Sequence, residues 1–129
     1  MTTDARVKTV KEFWAAIDRR DFNAAGALMT LPAEVRWPNT GELIRGRDPF
    51  VTVQKRYPGR WRIDMEKLLP AGDTIVTVVR VSAEDQSQGF FATSFFEFEG
   101  SLIAGITEYW GDIGQPPEWR TREGLSVRY

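Results

Sequence analysis

TIVTVVRVSAEDQSQGFFATSFFEFEGSLIAGITEYWG, residues 74–111, decides the fold. Three β-branched and aromatic runs (74–82, 89–98 and 101–111) are separated by the polar turns AEDQSQ and EGS, the pattern of consecutive antiparallel strands. A fourth run, WRIDMEKLL at 61–69, precedes them across the turn PAGD. Side chains alternate between faces along a strand. In ITEYWGD, residues 106–112, Glu108 therefore shares a face with Ile106 and Trp110, an unusual place for a carboxylate. TIVTVVRV and FFATSFF are apolar on both faces, whereas an antiparallel sheet with one wet face alternates.

Upstream the pattern is helical. Thr3 or Asp4 caps a helix with Val7, Val10, Trp14 and Ile17 on one face, widened by Phe13. RRDFNAAGALM (19–29) reads as a turn and a second helix, capped by Asp21, with Phe22, Ala25, Leu28 and Met29 inward and Pro32 as its stop. AEVRWP (33–38) reads as a short strand, followed by the turn NTGE. GRDPFVTVQKRYPG (46–59) predicts a third helix with Asp48 as cap and Pro49 at its first position, presenting Phe50, Val53 and Tyr57. Residues 112–129 carry no period and are expected to form a surface tail of the single domain, 1–129. The order α-α-β-α-β-β-β-β is that of an α+β domain with helices on one face of its sheet. The outer face, expected to carry Val79, Val81, Phe95 and Tyr109, needs cover too. A second copy of the chain would supply it, so a homodimer through the outer sheet face is expected.

The 129 residues suit one domain. A net charge of −1 provides no field for nucleic acid or an anionic membrane, and neither is an expected partner. The basic and aromatic stretch QKRYPGRWR (54–62) is split by its Pro-Gly turn, which argues against a strand-binding surface. No apolar run is long enough to span a bilayer. The opening MTTDARVKTVKEF lacks a signal peptide's apolar centre, so a cytoplasmic location is expected. There is no histidine and no cysteine. Their absence removes disulfides, thiolate nucleophiles, serine–histidine triads and nearly all zinc sites. Proton transfer must fall to Asp, Glu, Tyr or Lys, and neither a metal nor a cofactor is expected.

The element order, with the early DRRDFNAAGALM and the late EYWGD and PPEWR segments, resembles the nuclear transport factor 2-like superfamily, and within it the SnoaL-like polyketide cyclase branch. The resemblance implies a cone-shaped curved antiparallel sheet wrapped around three N-terminal helices, with a deep pocket at its open end. Cyclases, isomerases, hydrolases and pure binders share that frame, so the site must choose among them. The tyrosine, base aspartate and protonated aspartate of ketosteroid isomerases fall at Phe13, Trp37 and Ser94, none of which retains the required group. The Asp-Arg-Asp set of limonene-type epoxide hydrolases keeps Arg80, has Ser82 for one aspartate and places Glu108 at the other. Polyketide cyclases of this group use an acidic pocket residue as acid/base. Glu108 fits that role, although the usual accompanying histidine does not exist here.

The inferred pocket wall is Val76, Val78, Arg80 and Ser82 on one strand and Ala92, Ser94, Phe96 and Phe98 on the next. Ile106, Glu108 and Trp110 complete it on the last, and Trp14, Trp37, Phe50, Tyr57 and Trp61 close its mouth or floor. Glu108 and Arg80 are the candidate catalytic pair. Trp14, Trp37, Trp61, Val78, Ser82, Ser94, Phe96 and Trp110 are candidate ligand contacts for a small apolar or aromatic molecule. An apolar pocket raises a carboxylate's pKa toward the useful range, and a nearby arginine opposes that while holding a substrate oxyanion. Arg80 and Glu108 could equally form a purely structural buried ion pair. Asp112 is expected at the rim, and Asp64 and Glu66 on the outer face. A non-catalytic binder and an interaction module docking through its sheet are the alternatives to an enzyme.

Overall fold

A computed structural model describes residues 2–129. Helices α1 (Thr2–Asp18) and α2 (Phe22–Ala27) are followed by strands β1 (Met29–Trp37) and β2 (Glu42–Arg45), then by α3 (Arg47–Arg56). Strands β3 (Trp61–Ala71), β4 (Thr74–Ala83), β5 (Gly89–Glu99) and β6 (Leu102–Asp112) form a meander, and α4 (Glu118–Arg122) lies in the C-terminal segment. One six-stranded sheet has the order β2-β1-β6-β5-β4-β3. Its pairs are antiparallel except β1–β6, which is parallel. Register shifts between Met29 and Glu34, Met65 and Lys67, and Glu97 and Phe98 add the local bending that curves the unclosed sheet around α1–α3.

The helix face read from the sequence is the core face: Val10, Phe13 and Trp14 are buried, with Val7 and Ile17 packed at its margin. Phe13 stacks on Phe50 of α3 and meets Phe96 of β5 edge-on at 5.7 Å. Two polar ties hold α1 in the hollow. Thr9 Oγ1 donates to the Ser101 carbonyl at 2.7 Å, and the Ile63 N–H donates to Asp18 Oδ1 at 2.7 Å. Asp21 caps α2 as expected, accepting from the Ala24 N–H at 3.1 Å.

Several local readings are corrected. Pro32 does not stop α2, which ends at Ala27; it lies within β1, in the irregular stretch between Met29 and Glu34 where a missing N–H is tolerated. Met29 is buried at the start of that strand rather than on a helix. NTGE leads into the short strand β2, which the turn signal had hidden. The N-cap of α3 is Gly46, whose φ of 106° favours glycine, so Asp48 lies inside the first turn rather than capping it and Pro49 is the third helical residue rather than the first. Tyr57 lies just past the end of α3, and the tail contains the single-turn α4.

The largest correction concerns β4. Its buried residues are Ile75, Thr77, Val79, Val81 and Ala83. Val76, Val78, Arg80 and Ser82 therefore point to the outer face, and Val79 and Val81 are interior rather than outer. Pairing sets this: Thr77 lies opposite Ser94, and Ser94 opposite Glu108. Even-numbered residues of β5 thus face odd-numbered residues of β4, whereas β5 and β6 match even to even. Phe95, Tyr109, Asp64 and Glu66 take the outer, exposed positions expected of them.

Candidate functional site

The hollow between the sheet and the helices opens into a cavity of about 690 Å³. Trp14 and Ile17 of α1 form one side, and Val81, Ala92, Glu108 and Trp110 the sheet side. Tyr57, Trp61 and Phe90 make an aromatic mouth, with Trp61 6.1 Å from Tyr57 and 5.8 Å from Phe90 between ring centroids. Trp37, at the end of β1, meets Trp110 edge-on at 5.5 Å. The side chain of Asn39 in the β1–β2 turn holds Trp110 by its backbone. Its amide donates to the Trp110 carbonyl at 2.7 Å and its oxygen accepts from the Trp110 N–H at 3.1 Å. That clamp was not visible in the sequence, where Asn39 reads only as a turn residue.

Three polar side chains stand side by side across β4, β5 and β6: Thr77, Ser94 and Glu108. Ser94 Oγ donates to Glu108 Oε2 at 2.6 Å, and the Trp14 indole N–H donates to Thr77 Oγ1 at 3.1 Å. Thr77 and Ser94 are wholly buried. Burial pushes the Glu108 carboxyl above the ordinary carboxylate range; the Ser94 hydroxyl and then the Trp37 indole N–H oppose this without cancelling it. The Trp37 N–H lies close enough to favour the anion, but outside hydrogen-bond geometry. None of the ion pairs among the described residues includes Glu108. A carboxyl so placed holds its proton more tightly than an exposed one, the direction that suits general acid/base work.

Arg80 is not its partner. The arginine is exposed on the outer face, opposite Asp64 in register and with its guanidinium 5.8 Å from the Phe91 ring centroid. Both expectations for the pair fail on this point, the catalytic and the structural, because the two side chains emerge from opposite faces. Val78 and Ser82 share the outer position of Arg80 and do not reach the cavity. Phe96 faces inward but is fully buried between Phe13 and Trp14, so it is core and not cavity wall. Ser94 reaches the site only through Glu108. Trp14, Trp37, Trp61 and Trp110 do line the cavity, as does Asp112 near its edge. The sequence reading missed Thr77 and the cavity-lining Arg20, which donates to the Gly59 carbonyl at 3.0 Å. The odd offset across the β4–β5 turn was the one signal that could have exposed Thr77. Replacing Arg80 with Ala is expected to leave ligand affinity within about twofold of wild type by calorimetry, as for a surface change remote from the cavity.

A curved sheet enclosing helices, with a pocket at the open end, is the fold of nuclear transport factor 2-like proteins. Within it the chain belongs to the SnoaL-like domain family, whose model matches residues 10–106. A candidate ketosteroid isomerase from Kribbella flavida superposes with a TM-score of 0.84 at 22% identity, covering 98% of this chain and 90% of its own. An NTF2-like protein of unknown function from Burkholderia xenovorans gives 0.83 at 22%, covering 95% and 94%. An epoxide hydrolase of the LEH-like type from M. tuberculosis gives 0.71 at 17%, covering 84% of each chain. At these identities the likeness is one of fold. No curated protein matches the chain. Among the described residues no helix is long and apolar enough to cross a membrane, and no cluster of acidic side chains could hold a metal ion.

Proposed function

We propose that the protein is a small-molecule enzyme in which Glu108 acts as general acid/base on an apolar, oxygenated substrate. The observation that carries this reading is a carboxyl with a raised pKa, set in the wall of an aromatic cavity with no cation paired to it. Ser94 fixes the orientation of the carboxyl, and the tryptophan walls supply apolar contact and exclude water. The test is a turnover screen of small epoxides and β,γ-unsaturated ketones, run in parallel on wild type and Glu108→Gln. Conversion that depends on Glu108 supports the reading. Tight binding without conversion moves the protein to the alternative, a binder using the same pocket. An interaction module would dock through the outer sheet face and leave the cavity empty, and a monomer that binds none of the screened compounds would favour it.

The same reading includes a homodimer formed through the outer sheet face. Phe95 and Tyr109 are exposed there, 6.1 Å apart between ring centroids, beside the partly exposed Val76, Val78 and Phe91. Sedimentation analysis is expected to give twice the chain mass for wild type and the single mass for Phe95→Glu. A wild-type monomer at micromolar concentration overturns the dimer.

A further inference from the structure

We infer that Trp37 seats a ligand oxygen beside Glu108, so that the cavity selects neutral apolar molecules carrying a carbonyl or similar acceptor. The inference rests on the small-molecule reading above and names its ligand class.

Trp37 is 9% exposed, and its Nε1 is a buried side-chain nitrogen that makes no hydrogen bond of good geometry with a described residue, although the Glu108 carboxyl lies beside it. Buried donors in folded proteins are almost always paired, so an orphan at a cavity wall marks a place where something else accepts. Two of the other three cavity tryptophans pair their indole N–H within the protein. Trp14 donates to Thr77 Oγ1, and Trp61 to the Pro58 carbonyl at 2.9 Å.

Glu108 supplies the second half of the site. Ser94 engages Oε2, while Oε1 has no hydrogen bond from a described residue. A protonated carboxyl donates from that oxygen, and a ligand acceptor held by both groups receives two hydrogen bonds, one from the indole and one from the acid. The aromatic walls by themselves would also suit an organic cation. The indole N–H turns a positive edge toward the ligand, and Arg20 adds a full charge to the lining. The combination favours a neutral acceptor.

The test uses 1-tetralone and tetralin, which differ essentially by one carbonyl and fit a cavity of this volume, with phenyltrimethylammonium as the cationic probe. Binding is measured by calorimetry on wild type and on Trp37→Phe, which keeps an aromatic wall without the N–H. The expected result is an affinity ratio of tetralone to tetralin that falls about tenfold in Trp37→Phe, while tetralin itself binds both proteins equally. In wild type the Trp37 indole proton resonance should move downfield with tetralone and not with tetralin, a readout that does not depend on the variant folding. An unchanged ratio with an unmoved resonance overturns the inference and leaves Trp37 paired with water or with Glu108 itself. Tighter binding of the cation than of the ketone, or no binding of either neutral probe at millimolar concentration, overturns it as well. These are binding measurements, so the absence of catalysis at Glu108 would leave their outcome intact.

Discussion

Glu108→Gln is expected to reduce turnover by about 10²–10⁴-fold, the range over which a positioned acid or base contributes. Glutamine keeps the shape of the carboxyl and can still accept from the Ser94 hydroxyl, so the pocket walls should remain as they are. What it lacks is a transferable proton. The same substitution should raise, not lower, thermal stability at neutral pH. Because folding raises the Glu108 pKa, the folded protein holds a proton that the unfolded chain releases. Stability from this group is thus complete below the ordinary glutamate value of about 4.3 and declines as pH rises through the elevated folded value. Melting curves of the two proteins should converge near pH 4 and separate toward pH 8, with the glutamine variant the more stable. A large loss of stability at neutral pH would instead mean that the carboxylate anion has a structural partner, the role once available to Arg80.

Phe96→Ala is expected to be the most destabilising of the substitutions considered, by about 3–5 kcal/mol. Phe96 is fully buried, edge-on to both Phe13 and Trp14, and joins β5 to α1 at the centre of the domain. For a chain of this size the loss corresponds to a fall in Tm on the order of 10–20 °C. Trp61→Ala is the control. Trp61 is only partly buried at the cavity mouth, and its removal should weaken ligand retention while shifting Tm far less. If Phe96→Ala melted within about 3 °C of wild type and lost ligand, Phe96 would belong to the pocket wall after all.

The contrast between Phe96 and Trp61 shows how far the site could be read in advance. Both are inward-facing aromatics, and strand alternation puts them on the concave side correctly. Whether an inward residue meets a helix or open space depends on how deep the helices sit. Here α1 fills the hollow at Phe96 and leaves it open beside Trp61 and Glu108. Alternation carries no information on that depth. Trp37 makes the same point for hydrogen bonding, since its sequence context gives no hint that Trp14 and Trp61 find acceptors and it does not.

The sequence alone determined the α+β class, the helix faces of α1, the four-stranded meander and the interior position of Glu108. Each rests on a pattern in which one face is clearly apolar and the other is not, or on turn residues with fixed conformational preferences. It could not orient β4. Ile75, Val79 and Val81 compete with Val76 and Val78, so hydrophobicity is satisfied by either face, and a shift of one residue exchanges every side chain. The tertiary structure broke the tie through the offset that pairs Thr77 with Ser94, and that pairing placed Thr77 inside and Arg80 outside. Glu108 thereby lost the arginine expected beside it and became an acid in the cavity wall without a cation. Its raised pKa is a product of strand register, which no local stretch of the chain encodes.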